Sequence, residues 1–485
     1  MKVSEILKLK NLGDQLSLLK KNGNKMTDAD IQRSIDFYNN DHAIGHDKEK
    51  SDIYYEELRY DPVSKKDKTE TVQVKQTTLK IPYQRQIVNT ACAFVLGNKL
   101  DLILNNRNET ENQASDFEIF KSCWEEEAKM QSVLKKVFRS TSVQTRTAIL
   151  FTYDENDDKI KPVILNYENG YNLWRHKDET GKMDCVVVEY NTDEIVNGQI
   201  MSGIKYTELW MADKMIRYKN EQDPVTTENP SNKLLIAYFE QSYPEYWFVI
   251  DLIDKQDYAR SQHSDVNVRI GNPALVVIGE LKKKPRYNST FKVYEVNNKG
   301  LDATKPNSGD IKYLELSSAP ESVKLELENN ERDIFRFTWP DLSTLLTCNG
   351  FGNLSGQSIR LMFTQAYVMM AEKQEIYDEM IARCISIMKT MVAIKTGNKR
   401  ILDLNITFKY NSILPDSLAE LVNMLMNAIS AGITTTEKGA ELLPFNDQET
   451  IRKIANAVVE ANTNTTVAPT QKETVPPNKT GVNGR

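Results

Sequence analysis

The sequence predicts a helix-rich α+β chain, and three observations carry the prediction. Residues 357–396 contain no Pro or Gly and set their apolar side chains at helical spacing. Residues 147–240 hold β-rich runs separated by polar turns, the pattern of an antiparallel sheet. A smaller β-rich stretch, residues 274–316, lies between two further helical stretches. A chain of 485 residues has room for roughly two to four domains.

The long helical pattern places apolar residues at 359, 362, 363, 366, 369, 370, 377, 380, 381, 384, 387, 388 and 391, one wide face. Its methionines read as adaptable core. Ser355 is placed to cap it, and Gly397 with Asn398 to stop it. Run from 357 to 396 it is about 60 Å long at 1.5 Å per residue. Before it, residues 341–356 are polar, carry three glycines and show no alternation, so they form a loop. A glycine-bearing loop on a long helix suits a moving part on a rigid strut. The plainer reading is a surface loop before a core helix.

Taken in order, Thr27 caps a helix with Asp28 and Asp30 in its first turn, ending near Asn39 and Asn40. Residues 45–78 are charged and irregular, an exposed arm. Residues 82–97 form a helix with Ile87, Ala91, Phe94 and Val95 inward, closed by Gly97. A short strand, 100–104, follows. Residues 115–141 read as one amphipathic helix with Phe117, Phe120, Trp124, Ala128, Val133 and Val137 inward. The sheet draws on runs at 148–153, 161–165, 185–190, 206–211, 215–218 and 234–239. Pro244 opens a helix to about 270, with Val249, Leu252, Ile253, Ala259, His263, Val266 and Ile270 as its stripe. Strands are expected at 275–278, 291–296 and 311–316. Pro320 opens a second helix to Trp339-Pro340, with Val323, Leu327, Ile334 and Phe337 on one side; the alternation from Val323 makes a strand the rival for its first half. An edge strand at 404–410 and helices at 416–430, 436–443 and 447–461 complete the fold. Residues 462–485 have the composition of a disordered tail.

The formal charge of -6 argues against a protein that coats nucleic acid, but not against one that lets DNA slide past. The five cysteines, Cys92, Cys123, Cys185, Cys348 and Cys384, are widely spaced without CxxC, which disfavours a disulfide framework or zinc ribbon. The start lacks a signal-peptide core, and no run of about 18 apolar residues appears, so no membrane span is expected. No P-loop is present: Thr180-Gly-Lys-Met and Thr396-Gly-Asn-Lys lack the glycine loop. Glu280-Leu-Lys282 with Asp265 imitates a magnesium-dependent nuclease element, a short and common pattern. His42 and His46, with Asp41 and Asp47, could suggest a metal site, but two histidines so spaced are not enough and a helix-ending turn is the plainer reading. His263 reads as a packed or inter-subunit residue. Lys282-Lys-Lys-Pro-Arg286 is the densest basic run, either a solvated turn or a contact for DNA or an acidic partner. No cofactor is expected.

Five segments, in this order and spacing, resemble the portal proteins of tailed bacteriophages, in their long-tailed branch. They are Phe37-Tyr-Asn-Asn-Asp-His42; Ile87-Val-Asn-Thr with Phe94-Val-Leu-Gly97; Leu252 to Gln262; Ser355-Gly-Gln-Ser-Ile-Arg-Leu; and Leu414-Pro-Asp-Ser with Gly432-Ile-Thr-Thr-Thr and Leu442-Leu-Pro-Phe445. The resemblance covers about residues 27–461. It implies a portal-type fold: residues 1–240 as wing, 244–271 and 318–340 as a two-helix stem, 272–317 as a β-rich clip, 341–356 as tunnel loop, 357–411 as long wing helix and strand, and 412–461 as crown. It implies a homo-oligomeric ring, usually of twelve copies, around double-stranded DNA at one capsid vertex, through which the genome is packaged and ejected. The implied partners are the terminase packaging motor, the major capsid and scaffolding proteins and a head-completion or neck adaptor, with the ring assembled in the host cytoplasm and carried in the virion. The implied site residues are Thr347, Asn349, Gly350, Phe351, Gly352, Asn353, Leu354, Ser355 and Gly356 in the tunnel loop. Lys282, Lys283, Lys284 and Arg286 stand at the clip, and Glu321, Glu328, Glu331 and Arg332 are stem-lining candidates. The loop departs from a phosphate-gripping one, since residues 341–359 contain no Lys or Arg; steric or backbone contact with DNA is expected instead. The presumed stem is near-neutral to acidic, and an acidic lining weakens phosphate adhesion. A non-enzymatic portal is the reading; a magnesium-dependent nuclease and a non-ring structural adaptor are its rivals.

Overall fold

The computed structural model describes residues 2–21, 25–48, 53–61, 66–74, 76–105, 111–196, 199–271, 275–278, 280–281, 286–287, 292–293, 296–297, 310–313, 320–340, 361, 363–411, 418–441 and 453. The first helices are short: Val3–Ile6 (α1) and Leu12–Leu19 (α2). Asp28–Tyr38 (α3) starts where expected, because Thr27 and Asp30 exchange side-chain and backbone bonds in a capping box.

Residues 45–78 depart from the irregular arm. Ile53–Asp61 (β1) and Lys66–Val74 (β2) form an antiparallel hairpin, with Ile53 opposite Val74 and Asp61 opposite Lys66. The charges conceal runs rich in Tyr, Val and Thr, residues that favour a pleated backbone. Tyr83–Leu96 (α4) buries Ile87, Ala91, Phe94 and Val95 as expected. Asp101–Leu104 (β3) follows.

The single helix expected over 115–141 is broken. Glu111–Ser122 (α5) runs into a π-helical turn, Cys123–Glu127, and Lys129 then takes a left-handed conformation before Met130–Gln144 (α6). Each piece has its own phase. Phe120, Trp124, Ala128 and Val137 are buried as expected, Phe117 and Val133 only partly, while Met130, Leu134 and Phe138 are the added core.

Two sheets stand where one was expected. Arg146–Asp154 (β4) and Lys159–Asn166 (β5) join Ile236–Glu240 (β11) in the order β11-β4-β5. Tyr171–Lys177 (β6), Met183–Val196 (β7), Gln199–Trp210 (β8), Lys214–Lys219 (β9) and Gln222–Glu228 (β10) form an antiparallel meander. Strand β10 went unread because it contains Pro224; the register shifts between Gln222 and Val225, on an edge strand where Pro is tolerated. The buried run Cys185-Val-Val-Val serves two cores by alternation. Val186 and Val188 face the three-stranded sheet, packing with Ala148, Leu165, Ile236 and Tyr238. Cys185 and Val187 face α1 and α2, packing with Ile6, Leu16 and Leu19. The four described cysteines are all free and buried.

Ile250–Gly271 (α7) precedes the described strands Leu275–Ile278 (β12), Glu280–Leu281 (β13), Arg286–Tyr287 (β14), Lys292–Val293 (β15), Val296–Asn297 (β16) and Asp310–Tyr313 (β17). Strands β12 and β17 pair, so this insertion leaves and returns through one ladder. Pro320–Arg336 (α8) is helical throughout, which removes the rival strand. Thr364–Thr396 (α9) is about 50 Å long at 1.5 Å per residue. Its expected cap, Ser355, lies outside the described residues. Gly397 ends it at φ 68°, the left-handed stop that glycine adopts without strain. Tyr377 of α9 packs on Phe138 of α6 and Phe239 of β11, so the rod lies along the body. Ile406–Lys409 (β18) pairs with β3.

A separate unit contains Leu418–Ser430 (α10) and Thr436–Glu441 (α11), joined by a turn with Gly432 at φ 69°. Asp416, residues 442–452 and 454–485 lie outside the described residues.

Candidate functional site

Helices α7 and α8 form the pair that flanks the β-rich insertion. Gln256 Nε2 donates to the Leu327 carbonyl at 3.2 Å, Lys255 stands 3.4 Å from Glu326, and Arg260 Nη2 meets Glu331 Oε2 at 2.9 Å. Arg260 also donates to the Tyr83 hydroxyl at 3.1 Å, and the Tyr83 ring meets Phe335 edge-on. Burial raises the Tyr83 pKa. The pair is therefore tied to the start of α4.

The stripe expected on α7 is only partly the buried one. Val249 and Ile253 are buried, but Leu252, Ala259 and His263 are half-buried and Val266 is exposed. The fully buried positions beyond Ile253 are polar: Gln256, Asp257 and Ser261. Gln256 faces α8, while Asp257 and Ser261, with Asp265, hold residues 76–82, a strap belonging to no helix or strand. Thr77 N–H donates to Asp265 Oδ1 at 2.9 Å, Leu79 N–H to Ser261 Oγ at 2.9 Å and Ile81 N–H to Asp257 Oδ1 at 3.0 Å. Every second strap amide meets every fourth helix residue. An extended chain advances about 6.6 Å in two residues and a helix about 6.0 Å in four, so the two periods match.

The inner end of this ladder is a buried knot. His42 Nδ1 donates to Asp257 Oδ2 at 2.5 Å, with both side chains fully buried. Gln84 Nε2 donates to His42 Nε2 at 2.9 Å and to the Phe37 carbonyl at 2.8 Å. The imidazole stacks on Phe37, and Asp254 accepts the Ala43 amide. Burial raises the Asp254 pKa. Among the described residues, His42, Asp254 and Asp257 are the group that could gather round a metal ion. Their oxygens already receive Ile81, Ala43 and His42, so the set fits a clamp. His46 instead meets Asp41 at 2.7 Å in an exposed pair.

The described residues on either side of segment 341–362 lie together. Trp339 before it and Phe363 after it both pack on the Phe94 ring. Gln365 Nε2 donates to the Arg336 and Thr338 carbonyls at 2.8 and 3.0 Å, satisfying the end of α8 from the start of α9. Glu245 completes the anchor: Trp339 Nε1 donates to its Oε2 at 3.0 Å, and Lys373 pairs with its Oε1 at 2.6 Å.

Thr347, Asn349, Gly350, Phe351, Gly352, Asn353, Leu354, Ser355 and Gly356 lie outside the described residues, as do Lys282, Lys283 and Lys284. Arg286 sits in β14, opposite Val293. Glu321 and Glu328 are exposed, Arg332 is exposed and bonded to Asn329, and Glu331 is committed to Arg260. Asp265, the upstream member of the nuclease-like pattern, caps the strap. The structure thus brings together residues that sequence reading did not assemble. Their signal was a polar stripe on α7, at 254, 257, 261 and 265.

A family model described as "Phage portal protein, SPP1 Gp6-like" matches residues 19–463. The chain belongs to that family. A portal, or connector, role comes with membership. No curated protein matches the chain. Among solved structures, it is similar to a chain of "Virion of native gene transfer agent (GTA) particle", at 10% identity and a TM-score of 0.35, covering 75% of this chain and 89% of that one. It is also similar to a chain of "Neck of empty GTA particle computed with C6 symmetry", at 11% identity and a TM-score of 0.38, with the same coverage. Among the described residues no helix is long and apolar enough to cross a membrane.

Proposed function

We propose that the chain assembles into a ring-shaped channel at one vertex of a viral capsid, through which double-stranded DNA enters and later leaves. The observation that carries this reading is the portal-family match over residues 19–463. The paired helices α7 and α8 serve as stem, with residues 318–340 its second half. Residues 272–317 serve as clip towards the packaging motor and the neck adaptor, 1–240 and 357–411 as wing, and 412–461 as crown. Residues 341–356 are the tunnel loop. A stem clamped to the body by the strap transmits force without bending, and Trp339 and Phe363, on either side of the loop, share the Phe94 ring as a base. Exposed Glu321 and Glu328 repel phosphate and keep passing DNA from sticking. The role is mechanical, and ATP hydrolysis falls to a separate motor.

Electron microscopy of the purified protein tests the ring. Axial views with a central hole wide enough for duplex DNA, about 20 Å, are expected. Compact single particles at every concentration would favour a non-ring adaptor. Magnesium-dependent DNA cleavage lost on Glu280→Ala would favour a nuclease.

Deleting Asn349 to Leu354 is expected to leave rings intact and to lower packaged or retained DNA by about tenfold or more. Normal packaging by the deletion variant would remove the loop from the mechanism.

A further inference from the structure

Three cations on or beside the middle of α9 have only neutral partners. Lys233 Nζ donates to the Ser386 carbonyl and hydroxyl at 2.7 and 2.6 Å and to Thr390 Oγ1 at 3.2 Å. Arg383 Nε donates to the Ile236 carbonyl at 3.0 Å, and Lys389 Nζ to the Leu404 carbonyl at 2.7 Å. Among the described residues no carboxylate forms an ion pair with any of the three. Burial lowers the pKa of each; at Lys233 the charges of Lys389 and Arg383 add to it, while Asp403 near Lys389 and Glu379 near Arg383 oppose it. Half-buried charge with no carboxylate in contact is costly, and a mobile anion relieves the cost only where it can enter.

It can enter here. Lys233 and Arg383 line a pocket of about 490 Å³ between α1, the β6–β7 turn, the β8–β9 turn and α9, with Lys182 and Lys214 also in its wall. Three carboxylates share that wall, but two are engaged. Asp178 accepts the Thr180 and Lys182 amides, and Asp184 accepts His176 and the Val3 amide. Asp213 is exposed. Leu7, Met183 and Met211 supply apolar surface beside the charges.

The geometry points to a docking pocket for one carboxylate of an acidic polypeptide segment, gripped by the Arg383 guanidinium, with an adjoining apolar side chain against Leu7 and Met183. A guanidinium presents paired donors that match a carboxylate. Asp178, Asp184 and Asp213 oppose a doubly charged phosphate, or a nucleic-acid backbone, more than a single carboxylate. This assignment stands apart from the portal reading, because it holds for a ring or a monomer.

Calorimetric titration of the full chain tests it with three probes: N-acetyl-Leu-Glu-Leu-amide, its Leu-Gln-Leu analogue and inorganic phosphate. The Glu peptide is expected to bind about tenfold more tightly than the Gln peptide, which corresponds to about 1.4 kcal/mol. Arg383→Gln should abolish that preference. Arg383 also holds the Ile236 carbonyl, so Lys182→Gln, in the pocket wall, gives a second reading and should weaken the Glu peptide about threefold. No heat from either peptide, equal heats from both, or a preference unchanged in both variants would overturn the proposal. Phosphate binding more tightly than the Glu peptide would overturn it in favour of a phosphate site.

Discussion

Asp257→Ala is expected to destabilise the chain by about 3–5 kcal/mol, the cost of leaving two buried donors without the charged acceptor they share. The carboxylate receives two donors from different parts of the sequence, His42 Nδ1 and the Ile81 amide. Both lose their acceptor at once, beside side chains with no solvent exposure. Unfolding in urea should show a lower midpoint for the transition of this unit. Hydrogen exchange should show early loss of protection at Thr77, Leu79 and Ile81, the three strap amides held by α7. Asp257→Asn keeps the volume and one acceptor, and should cost less, about 1–3 kcal/mol. An unchanged midpoint in Asp257→Ala, with the strap amides still protected, would mean that the ladder follows the fold and does not hold it. The chemistry also separates clamp from metal site: a clamp predicts no change in stability on adding a chelator to the unaltered protein.

The sequence made its local elements legible and its polar assemblies illegible, for physical reasons. Thr27 with Asp30 declares a helix start by itself, because a capping box is complete within four residues. The Cys185-Val-Val-Val run declares a strand buried on both faces, and Gly397 a left-handed stop. Pro320 likewise opens α8. The break at Lys129 was hidden because the periodicity of residues 115–141 fits either one helix or two of shifted phase. The β1–β2 hairpin was hidden because its charges mask an otherwise β-favouring pattern. The α7 ladder lies deeper. Asp257 on a helix reads as solvent-facing, and only the arrival of a strap from 176 positions away makes it core. The order of α7, β-rich insertion, α8 and α9 was legible from pattern, whereas the assignment of residues 347–356 to a tunnel loop rests on likeness to a family.

Glu245→Ala should be the second costly change, again about 3–5 kcal/mol. The Glu245 side chain is 3% exposed and binds Lys373 of α9 with one oxygen and Trp339 with the other. Its own amide is bonded to the Ser142 carbonyl at the end of α6. One residue therefore joins three elements at the base of segment 341–362. Alanine leaves a nearly buried ammonium facing Gln241 alone and an indole N–H without an acceptor. Lys373→Met removes the charge that would be stranded, so Glu245→Ala combined with Lys373→Met should be less destabilised than the sum of the single changes, by about 1–3 kcal/mol. Additive losses would show that the pair is not coupled. If coupling is found, the loop's base is held by charge as well as by the Phe94 ring. The Glu245→Ala variant should then loosen Trp339 before α4 or α6 unfolds, read as a red shift and faster quenching of tryptophan fluorescence against a Trp339→Phe background at denaturant too weak to unfold the sheets.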